Sequence, residues 1–166
     1  MNNSNAEELK KLDELDVEIL KVLSKDGRLS HREIARKLVK SPVTIKKHVD
    51  ALEHGGIIKN YGANINYENL GFEILAIIEL SISKGKMLEV ERDIANNPHI
   101  YAVYDVTGTY DALILARFKN RRELSELVKK INSFQYVRQT NTHVILNVIK
   151  EGTNFTELIE YNEEKK

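Results

Sequence analysis

The spacing of apolar residues along this chain changes once, and that change constrains the fold more than any other feature. Up to about Glu53 the apolar side chains recur at helical intervals. From Phe72 onward, strand-like alternation and helical stretches take turns. The two regimes meet where Asn64, Asn66 and Asn69 cluster ahead of Gly71. With 166 residues, such a break is consistent with two small domains. Residues 1–62 read as a helical domain, 63–70 as a linker, 71–152 as a mixed domain and 153–166 as a tail. The tail opens as a short helix and frays at Glu163-Glu164-Lys165-Lys166.

In the first region, Leu15, Ile19, Leu20 and Leu23 form the stripe of a helix over residues 13–25. Asp13 or Asp16 can cap it, and Asp26-Gly27 stops it. Ser30-His31-Arg32-Glu33 is a capping-box pattern that opens a short second helix, to about residue 39. Ser41-Pro42 opens a third, with Ser as the cap and Pro at the first position, where its missing N–H costs nothing. Ile45, Val49 and Leu52 face inward, and Gly55-Gly56 ends the helix. Ile57-Ile58 and Tyr61-Gly62-Ala63 read as a short strand pair or wing. Three short helices with a tight turn between the last two have the geometry of a helix-turn-helix, whose second helix enters the major groove of DNA.

Charge is consistent with that geometry once its distribution is read. Lys plus Arg equal Asp plus Glu, 25 against 25. The neutral sum hides Arg28, Arg32, Arg36, Lys37, Lys40, Lys46 and Lys47, opposed between residues 28 and 47 by Glu33 alone. On the third helix, Ser41, Val43, Thr44, Lys46, Lys47 and His48 take outward positions. Short residues there can approach base edges, and lysines can meet phosphates. Arg28, Ser30 and Arg32 complete the candidate DNA-binding set. The same pattern also fits a small helical bundle with a solvated basic face.

The second region gives strand 72–82, helix 86–95, strands 100–107 and 111–118, helix 121–133 with Asn120 and Glu123 as its cap signal, and strand 137–150. The order βαββαβ is that of a ferredoxin-like fold, so the class is α+β. In the first strand Ile74, Ala76, Ile78, Leu80 and Ile82 point one way, while Leu75 and Ile77 point the other, beside Glu73 and Glu79. The third has Ile114 and Ala116 on one face, Leu113 and Leu115 on the other. Apolar residues on both faces call for cover on both. One chain has too few helices for that, so the expectation is a sheet-to-sheet homodimer. Thr107-Gly108-Thr109-Tyr110-Asp111 fits a hairpin turn in which Gly supplies positive φ.

Little points to catalysis. Cysteine is absent, which removes thiolate chemistry and cysteine-ligated metal. None of the five histidines, His31, His48, His54, His99 and His143, stands at a metal-ligand spacing. Nucleophile-elbow, Walker and dinucleotide motifs are missing. Asp105 and Asp111 flank a turn, where paired carboxylates are more often solvated than catalytic. No cofactor or metal is expected. No stretch is apolar for long enough to span a membrane, and the polar, acidic start from Met1 to Glu8 points to a cytoplasmic protein. Three classes stay open: a DNA-binding regulator, a small-molecule module whose helical domain binds protein, and an enzyme on a ferredoxin-like domain.

An ordered set of short matches separates these classes. Leu12-Asp13-Glu14-Leu15-Asp16, Ile19-Leu20, Asp26-Gly27-Arg28 and Glu33-Ile34-Ala35 resemble the opening of the Lrp/AsnC family, the feast/famine regulators of bacteria and archaea. Ser41-Pro42, Val49, Leu52-Glu53, Gly56-Ile57-Ile58, Tyr61 and the run from Val106 to Asp111 continue the match. The resemblance implies a winged helix-turn-helix regulator of transcription that binds double-stranded DNA. It implies a dimer that assembles into tetramers or octamers, and an amino-acid effector pocket between dimers. Thr107, Gly108, Tyr110 and Asp111 would border that pocket, with backbone N–H groups holding a carboxylate and Asp111 an ammonium. Thr140 and Thr142 match the family's threonine-bearing segment and would line it too. The chain departs from the family where Val39-Lys40 replaces a usual Gly-Leu pair, and where His48 stands in place of Arg.

Overall fold

Each helix of the first region begins at a side chain that accepts the N–H groups its first turn leaves unpaired. In the computed structural model, which describes residues 12–83, 90, 92, 94–152 and 154–163, helix α1 spans Glu14–Lys25 and starts at a reciprocal capping box. Asp16 N–H donates to Asp13 Oδ1 at 2.8 Å, and Asp13 N–H donates to Asp16 Oδ2 at 3.1 Å. Helix α2, His31–Leu38, repeats the device with Ser30 and Glu33. Helix α3, Pro42–His54, is capped by Ser41, whose Oγ accepts Thr44 N–H at 3.0 Å. Ile19, Ile34, Ala35, Ile45, Val49 and Leu52 close the core of this unit.

The segment after α3 differs from the expected strand pair. Ile57 and Ile58 N–H both donate to the Leu52 carbonyl, and Gly56 takes a positive φ of 69°. This wraps the chain around the end of α3, and residues 57–63 form no strand. Ile58 packs on the core, and Tyr61 Oη donates to Glu53 Oε1 at 2.9 Å. A late helix, α5, Phe155–Glu163, packs on α1. The described residues up to Asn64 and from Glu151 onward therefore form the helical unit, and those from Ile65 to Lys150 form a second unit.

That second unit is a four-stranded antiparallel sheet in the order β2-β3-β1-β4. Its strands are β1 (Ile74–Ile82), β2 (Ile100–Asp105), β3 (Ala112–Phe118) and β4 (Val137–Ile145), with helix α4 (Arg121–Asn132) between the last two. Of the helix expected over 86–95, residues 86–89, 91 and 93 lie outside the described residues; Val90, Arg92, Ile94 and Ala95 are helical. Val90 and Ile94 share one core with Leu127 and Ile131 of α4 and with Ala76, Ile78, Leu80, Ile114, Ala116 and Phe118 of the sheet. Both helices therefore cover the same face, as the ferredoxin-like order requires. β4 is shorter than expected, ending at Ile145 rather than 150. Its partner β1 supplies Leu75 opposite Ile145 and begins one residue earlier, so the ladder runs out.

Candidate nucleic-acid interface

Ser41 and Pro42 set the backbone of the first turn of α3, and three core residues, Ile45, Val49 and Leu52, set its rotation. Ser41, Val43, Lys46 and Lys47 are exposed as expected. Thr44 is half-buried, and its Oγ1 lies 2.8 Å from Ser41 Oγ, so the two hydroxyls satisfy one another. Lys46 pairs with Asp50 one turn on, and that hydrogen bond holds the Asp50 carboxyl below its usual range. Lys47 is exposed and forms no ion pair among the described residues.

His48 does not take the outward position expected of it. Its side chain is 18% exposed and turns toward α1, where Nδ1–H donates to Asp16 Oδ1 at 2.7 Å. Asp16 is itself 2% exposed, the one buried charged residue among those described. Helical spacing carried the signal: His48 stands three residues after Ile45, beside the inward row, and Asp16 three before Ile19. Asp13, Asp16 and His48 bring three possible ligand atoms within 4.8 Å of one another. The two helix-capping bonds and the His48 bond already account for that cluster.

The flanking residues divide in the same way. Arg28 is tied to Asp26 through Nε at 2.9 Å and Nη2 at 3.2 Å. Ser30 is occupied as the cap of α2; its hydroxyl and backbone N–H donate to Glu33, whose carboxyl they hold low. Arg32 is exposed. Between α2 and α3, Val39 takes a left-handed conformation, φ 53° and ψ 50°, and its side chain is 88% exposed.

In the sheet unit the face away from the helices is lined by Leu75, Ile77, Leu113 and Leu115, all half-buried. Cross-strand pairing sets Ile77 between Leu115 and His143, and Glu79 between Leu113 and Asn141. The His143 and Asn141 side chains hydrogen-bond Glu79 Oε2 at 3.0 and 2.9 Å, keeping its carboxyl below the ordinary range. The turn from Thr107 to Asp111 is closed by Val106 N–H donating to the Asp111 carbonyl at 3.0 Å. Gly108, at φ 129°, supplies a conformation that other residues resist. Asp111 Oδ2 accepts Ile82 N–H at 2.7 Å, with Ser81 Oγ at 3.5 Å and Arg138 Nη2 at 3.9 Å. Its Oδ1 carries no hydrogen bond among the described residues.

The expected effector set is not gathered in one place within the chain. Thr140 pairs with Leu80 and Thr142 with Ile78, so both threonines share the helix-covered face with those buried residues. Thr140 Oγ1 donates to Asn132 of α4. Asp111 lies with Ser81, on the opposite face.

Comparison with known proteins covers both units. Residues 12–59 match a winged helix-turn-helix DNA-binding model, and residues 75–155 match the Lrp/AsnC ligand binding domain. An uncharacterized HTH-type transcriptional regulator of Pyrococcus abyssi is 44% identical over 140 residues, covering 84% of this chain and 95% of its own. The HTH-type transcriptional regulator FL11 of Pyrococcus furiosus is 37% identical over 142 residues, 86% of this chain and 94% of its own. Among solved structures, a Neisseria meningitidis transcriptional regulator in complex with L-Met has a TM-score of 0.79 at 28% identity, covering 86% of this chain and 95% of that one. Bacillus subtilis LrpC has a TM-score of 0.77 at 31% identity, covering 86% and 99%.

Proposed function

The chain belongs to the Lrp/AsnC family of helix-turn-helix transcriptional regulators, and from that premise we propose that α3 reads duplex DNA while the sheet unit assembles the protein and takes an amino-acid effector. The observation that carries the DNA half is the start of α3: a first turn fixed by Ser41 and Pro42 that presents exposed Val43, with Lys47 exposed on the next turn and Arg32 exposed on α2. Ser41, Val43, Lys46, Lys47 and Arg32 form the contact set. Arg28 joins it on exchanging Asp26 for a phosphate. Ser30 caps α2, Thr44 Oγ1 holds the Ser41 hydroxyl, and His48 holds α3 against α1. The working division is residues 1–62 for DNA, 63–70 as linker and 71–152 for effector and assembly, in the cytoplasm.

For the sheet unit we propose a homodimer formed through Leu75, Ile77, Leu113 and Leu115, with tetramers or octamers as larger states. An effector would sit where the Thr107–Gly108 amides meet a carboxylate and Asp111 Oδ1 meets an ammonium. Thr140 and Thr142 face the other side of the same sheet, so contact with both sets requires a second chain. The L-Met bound by the Neisseria relative supports an amino acid as the ligand class. Linkage then requires effector and DNA to alter one another's affinity by the same factor.

Selection of bound duplexes from a random pool by the purified protein tests the DNA half. A roughly two-fold symmetric site, its half-sites about one helical turn or a multiple of it apart, is the expected outcome. Recovery of no sequence, with no salt-dependent retention of duplex, would leave α1–α3 as a protein-binding module. Calorimetry with each common amino acid tests the effector half; no heat and no change of assembly with any of them would remove it.

A further inference from the structure

We propose, resting on the placement of α3 in the major groove, that Val43 reads the 5-methyl group of a pyrimidine, so that base selectivity at the start of α3 comes from apolar contact rather than bidentate hydrogen bonding. The side chains of α3 lead there by elimination. Of the residues that form paired bonds to guanine and adenine, Arg, Lys, Asn and Gln, the helix contains only two lysines. Its remaining polar groups are largely committed: Ser41 and Thr44 to one another, Lys46 to Asp50, His48 to Asp16. Lys47 is a point charge on a flexible stem, suited to phosphate.

Val43 has no such commitment. It stands at the second position of α3 and is 79% exposed, so it buries almost nothing in its own unit. A β-branched residue there also lowers helix propensity, so neither packing nor propensity accounts for it. What it offers is shape: its restricted χ1 holds two methyl groups in one direction on a backbone fixed by the Ser41 cap and Pro42. Thymine places a matching methyl on the major-groove edge. 5-Methylcytosine places the same group on a G·C pair, so the chemistry recognised is a pyrimidine methyl and thymine is its ordinary source.

The test uses the full-length protein and the duplex recovered by selection. Each thymine is replaced in turn by deoxyuridine, which removes the methyl and nothing else. At one symmetry-related pair of positions binding should weaken about fourfold per half-site, the factor expected for one buried methyl group. At that position 5-methylcytosine should bind more tightly than cytosine if the methyl alone is read. If it binds no better than cytosine while the uridine effect stands, thymine itself is the source. Val43→Ala should abolish the uridine effect, and Val43→Thr, which keeps one methyl, should retain part of it; at so exposed a site neither should lower the thermal unfolding temperature appreciably. Uridine substitution without effect at every position, or an equal effect in Val43→Ala, overturns the proposal. Lys47→Ala, measured alongside, separates the two layers. If it weakens binding while uridine is silent, only the methyl contact fails. If it changes nothing, the placement of α3 fails and the proposal with it.

Discussion

The two units of this chain solve burial differently. In the helical unit the apolar residues have one inside to go to, and Ile19, Ile34, Ile45 and Val49 are almost wholly enclosed by the chain itself. In the sheet unit only one face closes. Ile78, Leu80, Ile114 and Phe118 are fully buried under the helices, while Leu75, Ile77, Leu113 and Leu115 on the other face remain half-buried. A unit complete in one copy can turn its outward face to a ligand of opposite charge. A unit left open on one face would, in the proposed dimer, be completed by another copy, and whatever that copy does would be felt across the whole sheet. On this account the first reads DNA and the second couples assembly to an effector.

The largest effect should come from placing a charge on the open face. Leu115→Glu, or Leu75→Glu, would bury an unpaired carboxylate in the dimer and weaken association by about 3 kcal/mol, roughly two orders of magnitude. Sedimentation equilibrium should then find monomers where the parent is dimeric, with the helical unit still folded. If the parent is already a monomer at micromolar concentration, the contrast between the units loses its basis.

Next in size is the buried pair of the helical unit. Asp16→Ala removes the acceptor of His48 and half of the α1 capping box. A loss of about 2–3 kcal/mol follows for hydrogen bonds to a charged, enclosed group. Thermal unfolding should show it, together with weakened DNA binding and undisturbed dimers. An Asp16→Ala protein that lost its dimers instead would join two units that the account keeps apart.

Much of this was legible in the sequence where the physics is local. The caps at Asp13, Ser30 and Ser41 act over three residues, so their residue types marked the helix starts. The alternation of Ile74, Ala76, Ile78, Leu80 and Ile82 announced a face, and the burial follows it. What could not be read depended on partners distant along the chain. His48 finds Asp16 across 32 residues; helical spacing sets each beside an inward row but does not say that the two meet. The end of β4 is set by where β1 begins. The faces of Thr140 and Thr142 depend on pairing with Leu80 and Ile78, just before a register shift at Ser81 and Ile82. The run from Ile57 to Ala63 has strand-forming residues but wraps the end of α3 instead.

Two smaller effects sharpen the picture of the helical unit. Desolvation, then the hydrogen bond to Glu53, pushes the Tyr61 hydroxyl up to about 12, against about 10 in an unfolded chain. The folded state therefore keeps a proton that the unfolded state loses. The stability this contributes is fully present below about pH 10 and disappears as pH rises through the folded value. Tyr61→Phe should flatten the alkaline limb of the stability profile, and an unchanged limb would place its cause elsewhere. Val39 holds a left-handed conformation with its side chain in solvent. Val39→Gly should relieve that strain, offset in part by added freedom in the unfolded chain, for a net gain of about 0.5 kcal/mol in urea unfolding. A clear loss would mean that Val39 makes a contact that its exposure does not reveal.

The central claim is that α3 meets DNA phosphates through Lys47, and the salt dependence of duplex binding tests it most directly. The logarithm of affinity should fall linearly with the logarithm of salt concentration, because each phosphate neutralised releases counterions. Lys47→Ala should weaken binding to all duplexes alike and reduce the magnitude of that slope by about one. A Lys47→Ala protein with unchanged affinity and unchanged slope would contradict the account.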